Sequence, residues 1–596
     1  MKLLLQHRTG LLSLICALIS LSGAGIMIWR TSQGLLWSYW TLVVLFFGWW
    51  SLFLLIKRED LSQQEQVGFL AKASLSGLLL GLAFPFSHLP TGFLALIAWV
   101  PFFQMVEAQM KRGWRLRQIY FYAFHTFILW NIIATYWVAN SSLPAGLFAI
   151  LVNSALMGIP LLLHLKVRGL MPRLKWIPFI AFWLSFEFMH FHWELNWPWL
   201  SLGNIWATAP SLVQWYNITG VLGGSLWILL VNSLAKDAWE AYRDDARALR
   251  YYLRLGLAVL LPILFSLYQY SSYEPRGSAV KIAVVQPNVE PFYAGPLIAA
   301  QPAAFRQKLT ELGRQTADAE TQYIVYPEAT LDLLNQDRLN TAPAIVELRE
   351  RLLQNSPQAS IIIGADTYRF LGQDEPRSRY TRTQDNEGEK AYFEIYNVAL
   401  QIKSDRTEID TYKKSKLVPG AELFPYPGLL RFLKPLVEQL GGTMAGRGAQ
   451  RERSNFQKDS LQVAPAICYE SVFGEHLAQH VQNGAQAIFI ITNDAWWDRT
   501  AGHIQHFHYA RLRALENRRP VARAANTGIS GFINQRGDVL THSQYNETTS
   551  LSNDLLFNDQ LTYYSRNPRL IARFALFAAI TFFLNWIVRT LLPKGE

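Results

Sequence analysis

The sequence predicts a polytopic α-helical membrane domain joined to a layered α/β domain, and three observations carry that expectation. Residues 1 to about 270 are dominated by apolar runs long enough to cross a bilayer. Residues 275 to 562 have the composition of an ordinary soluble domain, and within them strand-like runs alternate with helical ones. At 596 residues the chain also exceeds a single ordinary core. The averages of 51% hydrophobic, 14% aromatic and 17% charged residues conceal two regimes.

A spanning helix needs roughly 20 mostly apolar residues. Runs that qualify lie at 11–29, 35–56, 68–87, 90–107, 118–138, 145–165, 176–191, 217–235, 252–269 and 570–590. Lys2 and Arg8 precede the first run as in a signal peptide, but no convincing small-residue cleavage site follows it, so it reads as a retained span. The loops between runs set the orientation. With the N-terminus cytoplasmic, the inside loops hold Lys57 and Arg58, then Lys111, Arg112, Arg115 and Arg117, then Lys166, Arg168, Arg173 and Lys175, then Lys236, Arg243, Arg247 and Arg250. The outside loops near 87–90 and 139–144 hold no Lys or Arg, and the first outside turn holds only Arg30. This is the positive-inside pattern, and it puts the soluble domain outside the cytoplasm with both termini inside. The net charge of +11 therefore reflects topology. No nucleic-acid partner is expected, because no reader motif or basic stripe accompanies it.

The soluble part opens on Lys281–Val289, a β-rich run ended by a Pro-Asn turn. Further buried strands are expected at Tyr323–Val325, Ile361–Ile363, Val398–Ile402, Val463–Ile467 and Ile488–Thr492, with helices at 303–319, 343–354 and 505–518. The charged stretch Gly372–Lys390 and the glycine-rich, basic stretch Gly441–Ser454 read as mobile loops. The two cysteines, Cys16 and Cys468, fall in different regimes, so a structural disulfide between them is not expected. His503, His506 and His508 come without an H-E-x-x-H pattern or a cysteine cluster, and no metal is expected.

Three blocks end strand-like runs with reactive side chains: Val325–Tyr326–Pro327–Glu328, Tyr412–Lys413–Lys414–Ser415–Lys416–Leu417–Val418–Pro419, and Ala466–Ile467–Cys468–Tyr469–Glu470. Singly, each has a bland reading: a solvated turn glutamate, surface lysines, a small buried thiol. Together they suit acyl transfer through a thioester. A carboxylate can take the thiol proton, and an ammonium can stabilise thiolate and oxyanion. If the lysine block is an extended strand, Lys413 and Lys414 face opposite sides, so only one of them can point at Cys468, whereas Lys414 and Lys416 share a face.

The order Glu328, Lys414, Cys468 on strand ends resembles the nitrilase, or carbon-nitrogen hydrolase, superfamily. Leu82–Ala83–Phe84–Pro85–Phe86, Trp197–Pro198–Trp199–Leu200 with Leu202–Gly203, Cys468–Tyr469–Glu470 and Thr492–Asn493–Asp494–Ala495–Trp496–Trp497 narrow the resemblance to the apolipoprotein N-acyltransferase family. So do Gln505–His506, Arg513–Ala514 with Glu516, Arg519–Pro520, and the run Arg523–Ser530. The departures are Tyr326, where the family often has Trp, and Lys416–Leu417–Val418–Pro419–Gly420–Ala421–Glu422, where it has a His-Leu-Val-Pro-Phe-Gly-Glu run. Of the three lysines Lys414 is the choice because it keeps the family's spacing to Leu-Val-Pro, with Lys413 and Lys416 as the alternatives.

The resemblance implies an α-β-β-α sandwich for the soluble part. It divides the chain into two additional transmembrane helices at 1–57, the family's membrane domain at 58–274, a periplasmic nitrilase-like domain at 275–562 and a C-terminal transmembrane helix at 563–596. It implies Glu328, Lys414 and Cys468 as catalytic, Glu422, Tyr469 and Glu470 as supporting, and Trp496 and Glu187 as touching substrate. Glu187 falls inside a span, where a carboxylate is costly. Trp193, Trp197 and Trp199 read as an interfacial belt. The implied reaction moves an acyl chain from a phospholipid donor to a diacylglyceryl apolipoprotein acceptor in the bacterial inner membrane, with no cofactor. The rival readings are a membrane-anchored nitrilase-type amidase, which would need only an anchor, and a non-catalytic receptor or transporter, against which the intact triad argues.

Overall fold

The computed structural model describes residues 2–57, 63–242, 248–289, 302–386, 389–405, 408–430 and 446–591. Arg58, Arg243, Arg247 and residues 441–445 lie outside them. Every expected span falls on helix: Lys2–Ser32, Trp40–Ile56, Gln64–Ala83, the run Thr91–Lys111, Leu116–Thr135, the abutting Leu143–Leu156 and Gly158–Leu170, Ile177–Met189, Tyr216–Ala241, Ala248–Ser272 and Leu570–Leu591. Among the described residues, seven helical stretches are long and apolar enough to cross a membrane, and Trp40–Ile56 and Ile177–Met189 are shorter apolar helices. The chain is a multi-pass membrane protein. Leu116–Thr135 belongs to neither group, and it buries His125, Thr126, Asn131 and Thr135.

Lipid supplies no hydrophobic drive for helix association, so close packing must do that work. On Gln64–Ala83 the glycines at 77 and 81 make it possible. A Cβ on Gly77 would sit 2.6 Å from the Thr126 carbonyl oxygen, and one on Gly81 2.7 Å from Ile133 Cβ, so both helices approach through bare backbone. Buried Trp99, Trp130 and Trp183 fill the space beyond, with ring centroids 4.8 to 6.1 Å apart. At the far end of the bundle Glu107 binds Lys236 at 2.5 Å and Arg168 at 2.7 Å, tying three helix ends together.

The soluble domain is two stacked sheets clad by helices. The strands are β1 (Ser278–Gln286), β2 (Tyr323–Val325), β3 (Leu331–Asn335), β4 (Ser360–Leu371), β5 (Arg382–Asn386), β6 (Glu389–Lys403), β7 (Asp410–Lys413), β8 (Phe456–Lys458), β9 (Leu461–Ile467), β10 (Ala487–Thr492), β11 (Val521–Ala525), β12 (Gly531–Ile533), β13 (Val539–His542) and β14 (Thr549–Phe557). One sheet runs β14-β1-β2-β4-β6-β5 with β3 on β4 and β7 on β6; the other runs β13-β12-β11-β10-β9-β8. Val284, Val325 and Ile362 of the first meet Ile467, Phe489 and Ala524 of the second in one apolar layer. Outside, Pro302–Thr316 and Pro343–Leu353 cover the first sheet, while Gly474–Gln482 and Ala501–Asn517 cover the second. This is the expected α-β-β-α sandwich. β1 and β14, its first and last strands, are antiparallel neighbours, with Ser278 opposite Phe557.

Two loop expectations are corrected. Within Gly372–Lys390 the residues Arg382–Asn386 form β5, pairing antiparallel with β6 from Arg382↔Phe393 to Asn386↔Glu389; the charges lie on a ribbon. From Gly446 onward the second stretch is pinned, with Arg447 Nη2 donating to Asp366 Oδ2 at 2.9 Å and Gly448 N–H to the Ile395 carbonyl at 2.8 Å.

The sandwich rests on loops from one end of the helical bundle. His88 contacts His508 at 2.9 Å, Asn140 Nδ2 donates to the Trp497 carbonyl at 3.4 Å, Lys416 Nζ to the Phe191 carbonyl at 3.0 Å, and Tyr270 to Asp538 at 2.7 Å. These are the loops of one parity in the predicted topology; Glu107, Arg168 and Lys236 hold the other end.

Candidate active site

Glu328 follows β2, Lys414 follows β7 and Cys468 follows β9, so the two sheets deliver the three side chains to the same end of the sandwich. All are nearly inaccessible, Lys414 at 1% exposure and Glu328 and Cys468 at 8%. Lys414 Nζ lies 3.1 Å from Glu328 Oε1 and 3.0 Å from Glu422 Oε1. Asn397, inside β6, donates its Nδ2 to the same two oxygens at 2.7 and 3.1 Å. The second oxygens are also engaged: Asn493 N–H reaches Glu328 Oε2 at 3.2 Å and Val418 N–H reaches Glu422 Oε2 at 3.0 Å. The two carboxylates therefore coexist because a cation and an amide stand between them.

Cys468 sits at φ +51°, a left-handed conformation costly for a residue with a side chain, at the sharp step from β9 into the short helix Cys468–Val472. Burial pushes its thiol pKa up strongly; the charges of Glu328 and Asp494 push the same way, while Lys414 and a hydrogen bond with Thr492 pull it down. Burial thus favours the neutral thiol over the thiolate at rest. Burial works against the Lys414 ammonium, but Glu328 and Glu422 outweigh it and raise its pKa. Lys414 stays charged.

Glu470 holds the elbow and the lysine turn in one frame. Fully buried, its Oε1 accepts from Ser415 N–H at 2.6 Å, Lys416 N–H at 3.1 Å and Tyr412 Oη at 3.0 Å, while Oε2 accepts from Ile467 N–H at 2.9 Å. Tyr469 Oη donates to the Asn196 carbonyl at 2.9 Å, fastening the elbow to the membrane domain. Behind Cys468, His506 lies 3.2 Å from its carbonyl oxygen and 2.9 Å from Asp494, which Arg523 also binds at 2.7 Å. Burial opposes the Asp494 carboxylate, but Arg523 and His506 hold its pKa well below the usual range.

The expected shared face for Lys414 and Lys416 does not form, because β7 ends at Lys413 and the chain turns there. Lys413 lies 3.9 Å over the Tyr396 ring, and Lys416 reaches the Phe191 carbonyl in the membrane domain. Trp199 is corrected too: it is buried and donates to Gln505 Oε1 at 2.6 Å, so it belongs to the joint between domains and not to a belt. Glu187 is buried and accepts from Trp183 Nε1 at 2.8 Å, Leu202 N–H at 3.0 Å and Ser225 Oγ at 2.6 Å, all within the membrane domain. Trp496, 41% exposed, ends the strand-to-helix step after β10. Sequence reasoning missed Asn397, whose one signal was a polar residue inside an apolar strand.

Residues 281–556 match the carbon-nitrogen hydrolase family, and residues 76–234 match the apolipoprotein N-acyltransferase N-terminal domain. A Chlorobaculum tepidum protein named apolipoprotein N-acyltransferase is 26% identical over 518 residues, covering 84% of this chain and 93% of the relative. A Geobacter metallireducens protein of the same name is 26% identical over 507 residues, covering 83% and 90%. Among solved structures, an amidase of the nitrilase superfamily from Nesterenkonia covers 50% of this chain and 98% of its own, at 16% identity and a TM-score of 0.33.

Proposed function

Because this chain belongs to the apolipoprotein N-acyltransferase family, we propose that it moves an acyl chain from a phospholipid to the α-amino group of an N-terminal diacylglyceryl-cysteine, working at the periplasmic face of a bacterial inner membrane. Glu328, Lys414 and Cys468 carry the chemistry. In the first half, Glu328 takes the Cys468 proton as sulfur attacks an ester carbonyl of the donor. A C–S bond forms, and Lys414 holds the oxyanion. Collapse breaks the C–O bond, the lysophospholipid leaves with the proton from Glu328, and a thioester remains. In the second half the acceptor amine attacks the thioester, Glu328 takes the amine proton and returns it to the departing sulfur.

The observation that carries this reading is the buried convergence of Cys468, Lys414 and Glu328 beside residues fastened to the membrane domain through Lys416 and Tyr469. A neutral thiol in such a place suits a base that acts during attack. Trp496 is the substrate-side residue on the soluble rim. Glu187 borders a narrow cavity with Trp197 and Leu200 on the membrane side, its substrate role a proposal. The basic loops at the far end of the bundle support a periplasmic active site.

The test is purified protein incubated with a defined phospholipid and a diacylglyceryl-cysteine peptide, read by mass spectrometry. The proposal expects one acyl chain first on Cys468 and then on the peptide N-terminus. Release of free fatty acid with no acylated peptide would refute it.

A further inference from the structure

The helices Lys2–Ser32 and Trp40–Ile56 precede the matched membrane stretch, which begins at residue 76, and the chemistry above does not use them. Their connecting turn is nonetheless bonded to the segment that carries Trp496. Ser38 N–H donates to Asp498 Oδ2 at 2.8 Å. The Ser38 carbonyl accepts from Asn140 Nδ2 at 3.1 Å, the same nitrogen reaches the Trp497 carbonyl at 3.4 Å, and Thr41 Oγ1 donates to Asn140 Oδ1 at 2.6 Å. Next to Ser38, the Tyr39 ring packs 6.0 Å from Phe86 and 5.9 Å from Tyr136. Turn, membrane loop and soluble segment form one knot.

The backbone at this knot is unusual on both sides. Ser38 has φ +54° and Asp498 has φ +58°, and they are the two ends of one hydrogen bond. Residues with side chains keep such angles only where their surroundings over-determine them. Beyond the knot the Trp497 ring lies 4.7 Å from Trp137 and 5.5 Å from both Trp199 and His506. Upstream, Asn493 is held independently, its Oδ1 3.3 Å from Asn526 Nδ2 and its N–H on Glu328. Trp496 stands between these two fixed points.

We infer that the N-terminal hairpin is a clamp that positions Trp496 for the lipid substrates, with Asp498 and Asn140 as positioning residues. The inference rests on the acyltransferase reading. If the Ser38–Asp498 contact is cut, the segment 496–500 spends part of its time in other conformers, and apparent affinity falls by the fraction still competent. The base is unaffected, because Asn493 keeps its own anchor.

The test uses full-length Asp498→Ala, Asp498→Asn and Asn140→Ala in detergent, measuring KM and kcat for a fluorescent phospholipid and for a diacylglyceryl-cysteine peptide. Tryptic cleavage after the exposed Arg499 is followed alongside. Asp498→Ala should raise KM for at least one lipid substrate about tenfold and speed cleavage after Arg499 comparably, with kcat within about twofold and the pH profile unmoved. Asn140→Ala should act in the same direction. Asp498→Asn, whose amide oxygen still accepts from Ser38 N–H, should return both readings toward wild type. Wild-type KM and cleavage in Asp498→Ala, or equal losses in the alanine and asparagine variants, would overturn the clamp. If the unmodified protein transfers no acyl chain, the acyltransferase reading fails while the cleavage rates still decide whether the clamp exists.

Discussion

Replacing Lys414 with methionine keeps a side chain of similar length and removes the charge from the centre of the site. Glu328 and Glu422 would then face each other with only the Asn397 amide nitrogen, 2.7 and 3.1 Å from their oxygens, between them. Removing one partner of a buried ion pair costs about 3–5 kcal/mol at neutral pH, and the Asn397 bonds, present with or without the lysine, do not offset that loss. The sign of its pH dependence follows from Glu422. Burial opposes its charged form, yet Lys414, with Arg447, holds its pKa below the usual value. Without the lysine, two like charges favour protonation, so the penalty shrinks as pH falls and one carboxyl takes a proton. Loss of Lys414 as the proposed oxyanion donor should lower acylation about 10²- to 10³-fold. Intact-mass spectrometry of Cys468 after incubation with phospholipid reads the rate, and unfolding in detergent at pH 8 and pH 5 reads the stability. Lys413→Ala should acylate almost normally, since its ammonium lies over Tyr396. Lys416→Ala should be mildly impaired by losing its bond to Phe191. Full acylation of Lys414→Met beside loss in Lys416→Ala would show that the role belongs two residues along.

Cys468→Ser should remain inserted and folded but accumulate no acyl-enzyme, because a hydroxyl lacks the nucleophilicity of sulfur; restoration of triacylated lipoprotein at the normal rate would contradict this. Gly364→Ala should lower kcat on the order of a hundredfold, because its Cβ would stand 2.6 Å from the Glu328 Cα and from the Pro327 carbonyl oxygen and so displace Glu328, the proposed base. Glu475 resists burial through hydrogen bonds with His192 and Arg569, which hold its pKa down to about 2. Its stabilising contribution is present above the ordinary glutamate value of about 4.3 and is lost as pH falls through the folded value. The unfolding midpoints of the unmodified protein and Glu475→Gln should therefore differ at pH 6 and converge toward pH 2. A reporter fused within residues 302–316 should be periplasmic and one following residue 591 cytoplasmic; reversal at the first position would separate the site from secreted lipoproteins.

The helices were legible because a bilayer imposes length and apolarity together, and even Leu116–Thr135, with its buried His125 and Asn131, kept enough apolar residues to register. Glu328 and Cys468 were legible as candidates because each ends a short apolar run, where a reactive side chain is conspicuous, whereas Lys414 follows the polar strand Asp410–Lys413 and stood out through its spacing to Leu417-Val418-Pro419. Asn397 was not. It sits inside the long strand β6, its importance depending on Glu328 and Glu422 arriving from elsewhere in the chain. β5 was hidden for a related reason: an exposed ribbon can carry Arg382, Asp385 and Asn386 and still pair fully with its neighbour, so charge density imitates a loop. The reading of Lys416 failed because a two-residue period has meaning only while the strand lasts, and β7 stops one residue before Lys414.

The pairing of β1 with β14 makes the soluble domain a cassette. Because Ser278 lies opposite Phe557, the polypeptide enters and leaves through adjacent strands, about 5 Å apart. Such a unit can be spliced into a membrane protein at one point and still close its own sheets. The entry tether, residues 273–277, can span about 17 Å at full stretch. That is too short a leash for the catalytic head to stray from the membrane surface.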